Sequence, residues 1–68
     1  MKPFNLEKAL AGEPVLTRLG KKVTKIKLVD TAPETRPFAF VTDDGQIYFC
    51  DANGFVSNTP HDYDLFMS

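Results

Sequence analysis

The chain has 68 residues, a formal net charge of −1 and a single cysteine. This length predicts one small domain, residues 1–68, that buries only about 60% of the surface its unfolded form exposes. A lone Cys50 excludes an internal disulfide and a metal site built from the cysteines of one chain. The sequence has neither a signal-peptide pattern nor a run of the ~20 apolar residues that a membrane span requires. We therefore expect a soluble protein of a reducing cytoplasm, with no membrane contact.

A short helix is predicted near the N-terminus, at residues 4–12. Asn5 is a good N-cap, and Gly12 suits the left-handed position that ends many helices. One face of this helix is apolar, at spacings of three and four residues: Leu6, Ala9 and Leu10. We expect that face to pack on a sheet, because two helical turns are not stable alone.

A hairpin follows, with predicted strands at residues 14–18 and 22–29. A two-residue turn would pair Leu16 with Val23, whereas a three-residue turn with a bulge would pair Leu16 with Thr24. The sequence does not decide between these registers. The second strand alternates apolar residues with lysines, which is typical of a half-buried strand with one wet face.

Positive charge is concentrated in this hairpin. Residues 18–27 hold five cations and no acid: Arg18, Lys21, Lys22, Lys25 and Lys27. From residue 28 onward, seven acids face a single arginine, so the predicted surface is dipolar. The five cations are the candidate binding residues, for an acidic protein partner or for phosphates.

Three more strands are predicted after an irregular, proline-containing loop at residues 30–37. The dipeptides Asp44-Gly45 and Asn53-Gly54 are strong signals for two-residue hairpin turns. Such turns would pair Thr42 with Ile47, and Phe40 with Phe49. The predicted strands are 37–42, 46–51 and 55–57.

The predicted meander is apolar on both faces. One face would carry Phe38, Phe40, Ile47, Phe49 and Val56, and the other Ala39, Val41, Tyr48, Cys50, Ala52 and Phe55. A second cover is therefore needed, from the C-terminal tail, from closure of the sheet or from a partner chain. The residues predicted for tail docking, or for an interface, are Tyr48, Phe55, Tyr63, Leu65 and Phe66.

Together these elements predict an α+β, mainly β domain. A short N-terminal helix would pack on a strongly curled five-stranded antiparallel meander, of a shape similar to an SH3 domain.

Catalytic and metal chemistry have little support in the sequence. Cys50 and His61 form the one conceivable nucleophile–base pair, but a mid-strand thiol is expected to be buried and inert. Turn chemistry accounts for Asp43-Asp44-Gly45, and one further acid, Asp51, is too few for a calcium loop. We predict no enzyme, no cofactor and no metal.

Both ends of the chain resemble a known group of proteins. The segment Lys2-Pro3-Phe4-Asn5-Leu6-Glu7-Lys8-Ala9-Leu10-Ala11-Gly12-Glu13-Pro14-Val15-Leu16-Thr17-Arg18, with Gly20 and Lys22-Val23 after it, is similar to small proteins of tailed bacteriophages and prophages. The ending Tyr63-Asp64-Leu65-Phe66-Met67 is similar to theirs as well. The resemblance implies a phage setting in a bacterial cytoplasm and no particular activity. A shorter pattern, a helix followed by Ala-Gly, Val, Arg and Gly, resembles the start of a phage anti-defence family that sequesters a cyclic nucleotide.

The leading functional hypothesis is a phage or prophage accessory protein that binds a host or phage protein and has no catalysis of its own. One alternative is a nucleic-acid-binding regulator that uses the basic hairpin, and another is sequestration of a small nucleotide. A homo-oligomer is also expected, because a chain this short has little core.

Overall fold

The chain forms two three-stranded antiparallel sheets and one short helix in the computed structural model, which describes residues 2–68. The terminal sheet has the strand order β1-β6-β2, and the central sheet has the order β3-β4-β5. An isolated bridge between Leu16 and Lys22 connects the two. In chain order the elements are β1 (Lys2–Pro3), α1 (Leu6–Leu10), β2 (Val15–Thr17), β3 (Val23–Leu28), β4 (Phe38–Thr42), β5 (Ile47–Cys50) and β6 (Leu65–Met67).

The prediction of a five-stranded, SH3-like meander under a packed helix is wrong. Strands β3, β4 and β5 lie close to their predicted positions, but residues 55–57 do not form a strand. The predicted first strand pairs with β6, near the C-terminus, and so belongs to a separate sheet. The helix buries only Ala9, and Leu10 remains 51% exposed.

The helix ends are those that the sequence predicts. The Asn5 side chain accepts a hydrogen bond from the N–H of Lys8, at 3.1 Å. At the other end, Gly12 has φ = 95°, and its N–H donates to the carbonyl of Ala9. The N–H of Glu13 reaches back to the carbonyl of Lys8, which completes a Schellman motif.

Three tight turns of the chain share one structure: Thr17–Lys21, Thr42–Gln46 and Asp51–Phe55. In each, the N–H of the first residue donates to the carbonyl of the fifth, at 2.8, 2.9 and 3.0 Å respectively. The side-chain oxygen of the first residue accepts from the N–H of the fifth, at 3.1, 3.1 and 3.0 Å. The fourth residue is always glycine, with φ between 84° and 87°.

These turns have three-residue loops, and the two-residue turns predicted at Asp44-Gly45 and Asn53-Gly54 are absent. A type I′ turn needs a positive φ at both central residues, whereas in residues 2–68 only glycines have a positive φ. The observed turns are type I turns followed by a glycine in the left-handed region. A threonine or aspartate three residues before the glycine favours this form, because its side-chain oxygen accepts the backbone N–H that the longer loop leaves unpaired.

The extra loop residue moves the register of the central hairpin by one position. Val41 pairs with Ile47, and Phe40 pairs with Tyr48, so the predicted pairing of Thr42 with Ile47 is wrong. A shift of one residue moves every side chain of a strand to the opposite face. Tyr48 therefore lies on the same face as buried Phe40, with ring centroids 6.1 Å apart.

The first hairpin has neither of the two registers that the sequence left open. Leu16 pairs with Lys22, because the loop spans three residues and closes between Thr17 and Lys21. A register shift between Val23 and Lys25 then brings β3 into regular pairing with β4, so that the side chains of the two strands alternate in step from Lys25 onward.

The core lies between the two sheets and the helix. It consists of Ala9 from the helix, of Val15, Leu65 and Met67 from the terminal sheet, and of Phe40 and Cys50 from the central sheet. Thr17 and Thr42 are also buried, and their hydroxyls are used by the turns. The core is therefore small and shared by both sheets, as expected for a chain of this length.

Candidate functional site

The five predicted binding cations do not form one patch of free charge. Arg18 forms an ion pair with Asp64, at 3.2 Å, and its Nε donates to the carbonyl of His61. Its guanidinium also lies 5.0 Å from the ring centroid of Phe66. Lys21 forms an ion pair with Asp44, at 3.1 Å. Two of the five cations are thus engaged within the chain.

Asp64 organises the segment that leads into β6. Its side chain is buried, and it accepts hydrogen bonds from the N–H groups of Val56 and His61, both at 3.0 Å, in addition to Arg18. Three donors satisfy the hydrogen-bonding requirement of this buried carboxylate within the chain. Arg18 and Asp64 therefore hold the tail in place, which is a structural role.

The Lys21–Asp44 pair links the turns of the two hairpins. The Thr42 hydroxyl and then Lys21 donate to Asp44 and lower the pKa of this carboxyl below its ordinary value. The same pair raises the pKa of Lys21. Nearby Tyr63 has a raised pKa, chiefly because burial disfavours the phenolate. Both ionised partners stay in the charged form at neutral pH.

The other basic residues lie on or beside the outward face of the central sheet. Strand pairing places Lys25 beside Val41 and Lys27 beside Ala39, and on the other side of β4 it places Ile47 beside Val41 and Phe49 beside Ala39. We call these six residues the open face. Ile47 is 64% exposed and Phe49 is 40% exposed, while both lysines are exposed. Lys22 is exposed at the start of the same segment.

The open face joins an apolar strip to a cationic edge. Its apolar residues come from the middle strand and one edge strand, and its lysines come from the opposite edge strand. Nothing in residues 2–68 covers Ile47, whereas the inward face of the same sheet meets the core. Such an arrangement suits a partner that offers apolar side chains next to acidic ones.

Cys50 and His61 are not arranged as a nucleophile and a base. Cys50 is fully buried, and this burial raises the pKa of its thiol to about 12. The Nδ1 of His61 accepts from the N–H of Tyr63, and the imidazole packs edge-on against Tyr48, at 5.8 Å between ring centroids. A thiol in this environment is inert at neutral pH.

The residues predicted for tail docking or for an interface lie in different places. Leu65 is 1% exposed in β6, so the tail docks on its own chain. Tyr48 stacks on Tyr63 with 4.4 Å between centroids. Phe55 and half-buried Phe66 line an apolar cleft of about 370 Å³ that also touches Phe4. Of these five residues, Phe55 is the most exposed, at 45%.

A comparison with protein-family models gives one match. The model described as Haemophilus phage HP1 protein YO09 matches residues 1–66. The chain belongs to this family. No curated protein and no solved structure matches it. The expected relation to phage proteins is thereby confirmed, while the family description names no activity.

Two further kinds of functional feature, a metal site and a membrane span, were sought in this phage protein. Within residues 2–68, no three His, Cys, Asp or Glu side chains are grouped closely enough to hold a metal ion. In the same range, no helix is long and apolar enough to cross a membrane. The open face is one exposed surface of the central sheet, with Ile47 its most exposed apolar residue.

Sequence reasoning found the lysines of the open face but missed its apolar half. Phe49 was assigned to one face together with Phe40, whereas the two lie on opposite faces. The signal that could have found the correct register is Thr42, three residues before Gly45, because its side chain marks the longer turn.

Proposed function

We propose that this phage protein acts by binding another protein, from the host or from the phage, through the open face. The single observation that carries the proposal is that exposed Ile47 and Phe49 lie on the same face of a sheet as exposed Lys25 and Lys27, one strand apart from them. An exposed apolar strip on a small soluble domain costs solubility, so it usually marks an interaction surface. In this proposal the protein acts by contact, and the thiol of Cys50, which is buried, takes no part in it.

The chemistry of this face also limits the partner. Aliphatic and aromatic side chains bury apolar area, and two lysines along one edge favour an acidic rim on the other protein. Arg18 and Lys21 contribute little, because each already has an acidic partner within the chain.

Affinity capture from lysates of phage-infected cells tests the proposal. The bait variant K25E/K27E reverses the charge of the open face. The matched control K2E/K8E makes the same change in charge at two exposed residues of β1 and α1. We expect the wild type and the control to recover the same partner, and K25E/K27E to lose it. Equal recovery by all three baits would exclude the open face as the binding surface.

Nucleic acid is the second candidate, because Phe49 could stack on a base while Lys25 and Lys27 contact phosphates. Binding of this kind weakens steeply as salt rises. Fluorescence anisotropy with a labelled single strand at low and high salt separates the two candidates. Salt-sensitive binding that K25E/K27E abolishes would favour nucleic acid over a protein partner.

A further inference from the structure

We propose that two copies of this chain associate through the free edge of β5, antiparallel and around a two-fold axis at Tyr48. The two central sheets would join into one sheet of six strands. This inference stands on the geometry of the edge strand and does not depend on the proposed function.

The backbone of β5 has a free hydrogen-bonding edge at Ile47 and Phe49. This free edge ends at Asp51, because the N–H of Asp51 donates to the carbonyl of Phe55. Thr42 and Gln46 close the hairpin with a hydrogen bond from N–H to carbonyl, at 2.9 Å. Because hydrogen-bonded pairs alternate in an antiparallel ladder, Tyr48 and Cys50 bond to β4, whereas Ile47 and Phe49 direct their N–H and C=O groups away from it. In residues 2–68, no other strand pairs with β5.

The free edge is complementary to itself. In an antiparallel pairing centred on Tyr48, Ile47 of one copy lies opposite Phe49 of the other. Both residues have free backbone groups, so two hydrogen-bonded pairs form. Antiparallel addition to a sheet edge is a common mode of association, and a two-fold interface of this kind closes on itself.

The two edges of the central sheet differ in how well they are protected against pairing with a strand of another molecule. Strand β3 has Lys25, Lys27 and an irregularity at Thr24, features that discourage edge-to-edge pairing. Strand β5 has no charged residue, and its sequence Ile-Tyr-Phe-Cys has high strand propensity. One open edge and one protected edge give a closed dimer and not a filament. In this dimer the two open faces form one strip, with apolar residues in the middle and lysines at both ends.

The mass in solution is the first test, by size-exclusion chromatography with light scattering at concentrations up to millimolar. We expect the 7.6 kDa chain to double its mass as concentration rises. I47K should remain a monomer, because it places a charge beside the axis. L28K is the matched control, since Leu28 is similarly exposed, at 58%, but lies on the protected edge. A monomer at every concentration, a larger assembly, or a dimer that persists in I47K would overturn the proposal.

Cysteine cross-linking is the second test, and it measures the register directly. Ile47 and Phe49 of different copies lie opposite each other, at a separation that a disulfide can span, whereas two copies of Ile47 lie on a longer diagonal. Mixing I47C with F49C under a mild oxidant should therefore give more covalent dimer than either variant alone. Cross-linking of equal yield in all three samples would exclude this register. Buried Cys50 should contribute little background.

Discussion

The two sheets have the same number of strands but are assembled in opposite ways. The central sheet joins three segments that follow each other along the chain, with the tight turn at Thr42–Gln46 between the last two. The terminal sheet brings β6 between β1 and β2, so that Met67 pairs with both Lys2 and Val15. Local signals specify the central sheet, whereas the terminal sheet depends on contacts between residues that are distant in sequence.

The difference predicts where substitutions are most harmful. The terminal sheet has little turn chemistry of its own and depends on Asp64 and on the packing of Leu65. The central sheet depends on the turns and on Phe40. Four predictions test this contrast.

D64A should be the most damaging substitution. It removes the acceptor for the N–H groups of Val56 and His61, which are part-buried. A donor left unpaired inside a protein costs about 1–3 kcal/mol, so the loss should be at most about 2–6 kcal/mol. Chemical denaturation measures the free energy of unfolding. D62A is the matched control, because Asp62 is an exposed acid two residues away. Equal stability of the two variants would show that Asp64 does not hold the tail.

The second prediction compares a core residue of the terminal sheet with an outward residue of the central sheet. L65A should cost about 2–5 kcal/mol, because it leaves a cavity among buried side chains. I47A should change the stability of the monomer by only about 0.5 kcal/mol, because Ile47 is exposed. Unfolding of dilute protein checks both values. A large loss in I47A would mean that the open face is covered within one chain.

The third prediction compares two glycines that occupy the same position of the same turn type. Gly45 and Gly54 have φ of 87° and 84°, so an alanine at either is strained by about 1–2 kcal/mol. A Cβ at Gly45 would meet nothing within 4 Å, whereas one at Gly54 would lie 2.8 Å from Phe4 and 3.0 Å from Leu65. G54A should therefore lose more stability than G45A, by about 1–3 kcal/mol. Thermal unfolding of both variants tests this, and equal losses would argue against close packing of the third turn on the terminal sheet.

These contrasts also explain how far the sequence could be interpreted. The helix caps at Asn5 and Gly12 were predictable, because each depends on residues within one or two helical turns. The central strands were predictable from alternation. The Asp44-Gly45 dipeptide alone does not fix their register, because it suits both two- and three-residue loops, and the signal for the longer loop is Thr42.

The terminal sheet could not be predicted from local patterns. A three-residue strand such as β6 has too few residues for a periodic signal, and its partners β1 and β2 lie at the other end of the chain. The five cations of the first hairpin were evident from the sequence. The ion pairs that Arg18 and Lys21 form within the chain were not, because their acidic partners lie far away in sequence.

The smallest expected effect concerns the ion pair between Lys21 and Asp44, which connects the turn before the central sheet to the turn within it. The folded state lowers the pKa of Asp44 below its ordinary value of 3.8. A carboxyl whose pKa is lowered by folding contributes stability at pH values above its unfolded-state pKa. This contribution is lost as the pH falls through the folded-state pKa. Stability should therefore fall less in D44N than in the wild type when the pH is lowered from neutral through this range.

Thermal midpoints at a series of pH values measure this difference. The variant K21M separates the effect of Lys21 on the pKa of Asp44 from the effect of the Thr42 hydroxyl. The hydrogen bond from the Thr42 hydroxyl is the largest single cause of the lowered pKa of Asp44, and Lys21 lowers this pKa through both a hydrogen bond and its charge. K21M should consequently keep the part of the acid sensitivity that depends on Thr42, so its pH curve should lie between those of the wild type and D44N. Because both partners of the pair are partly exposed, salt should weaken the contribution of Lys21. Parallel pH curves for the wild type and D44N would mean that the turns hold the two hairpins together without help from this pair.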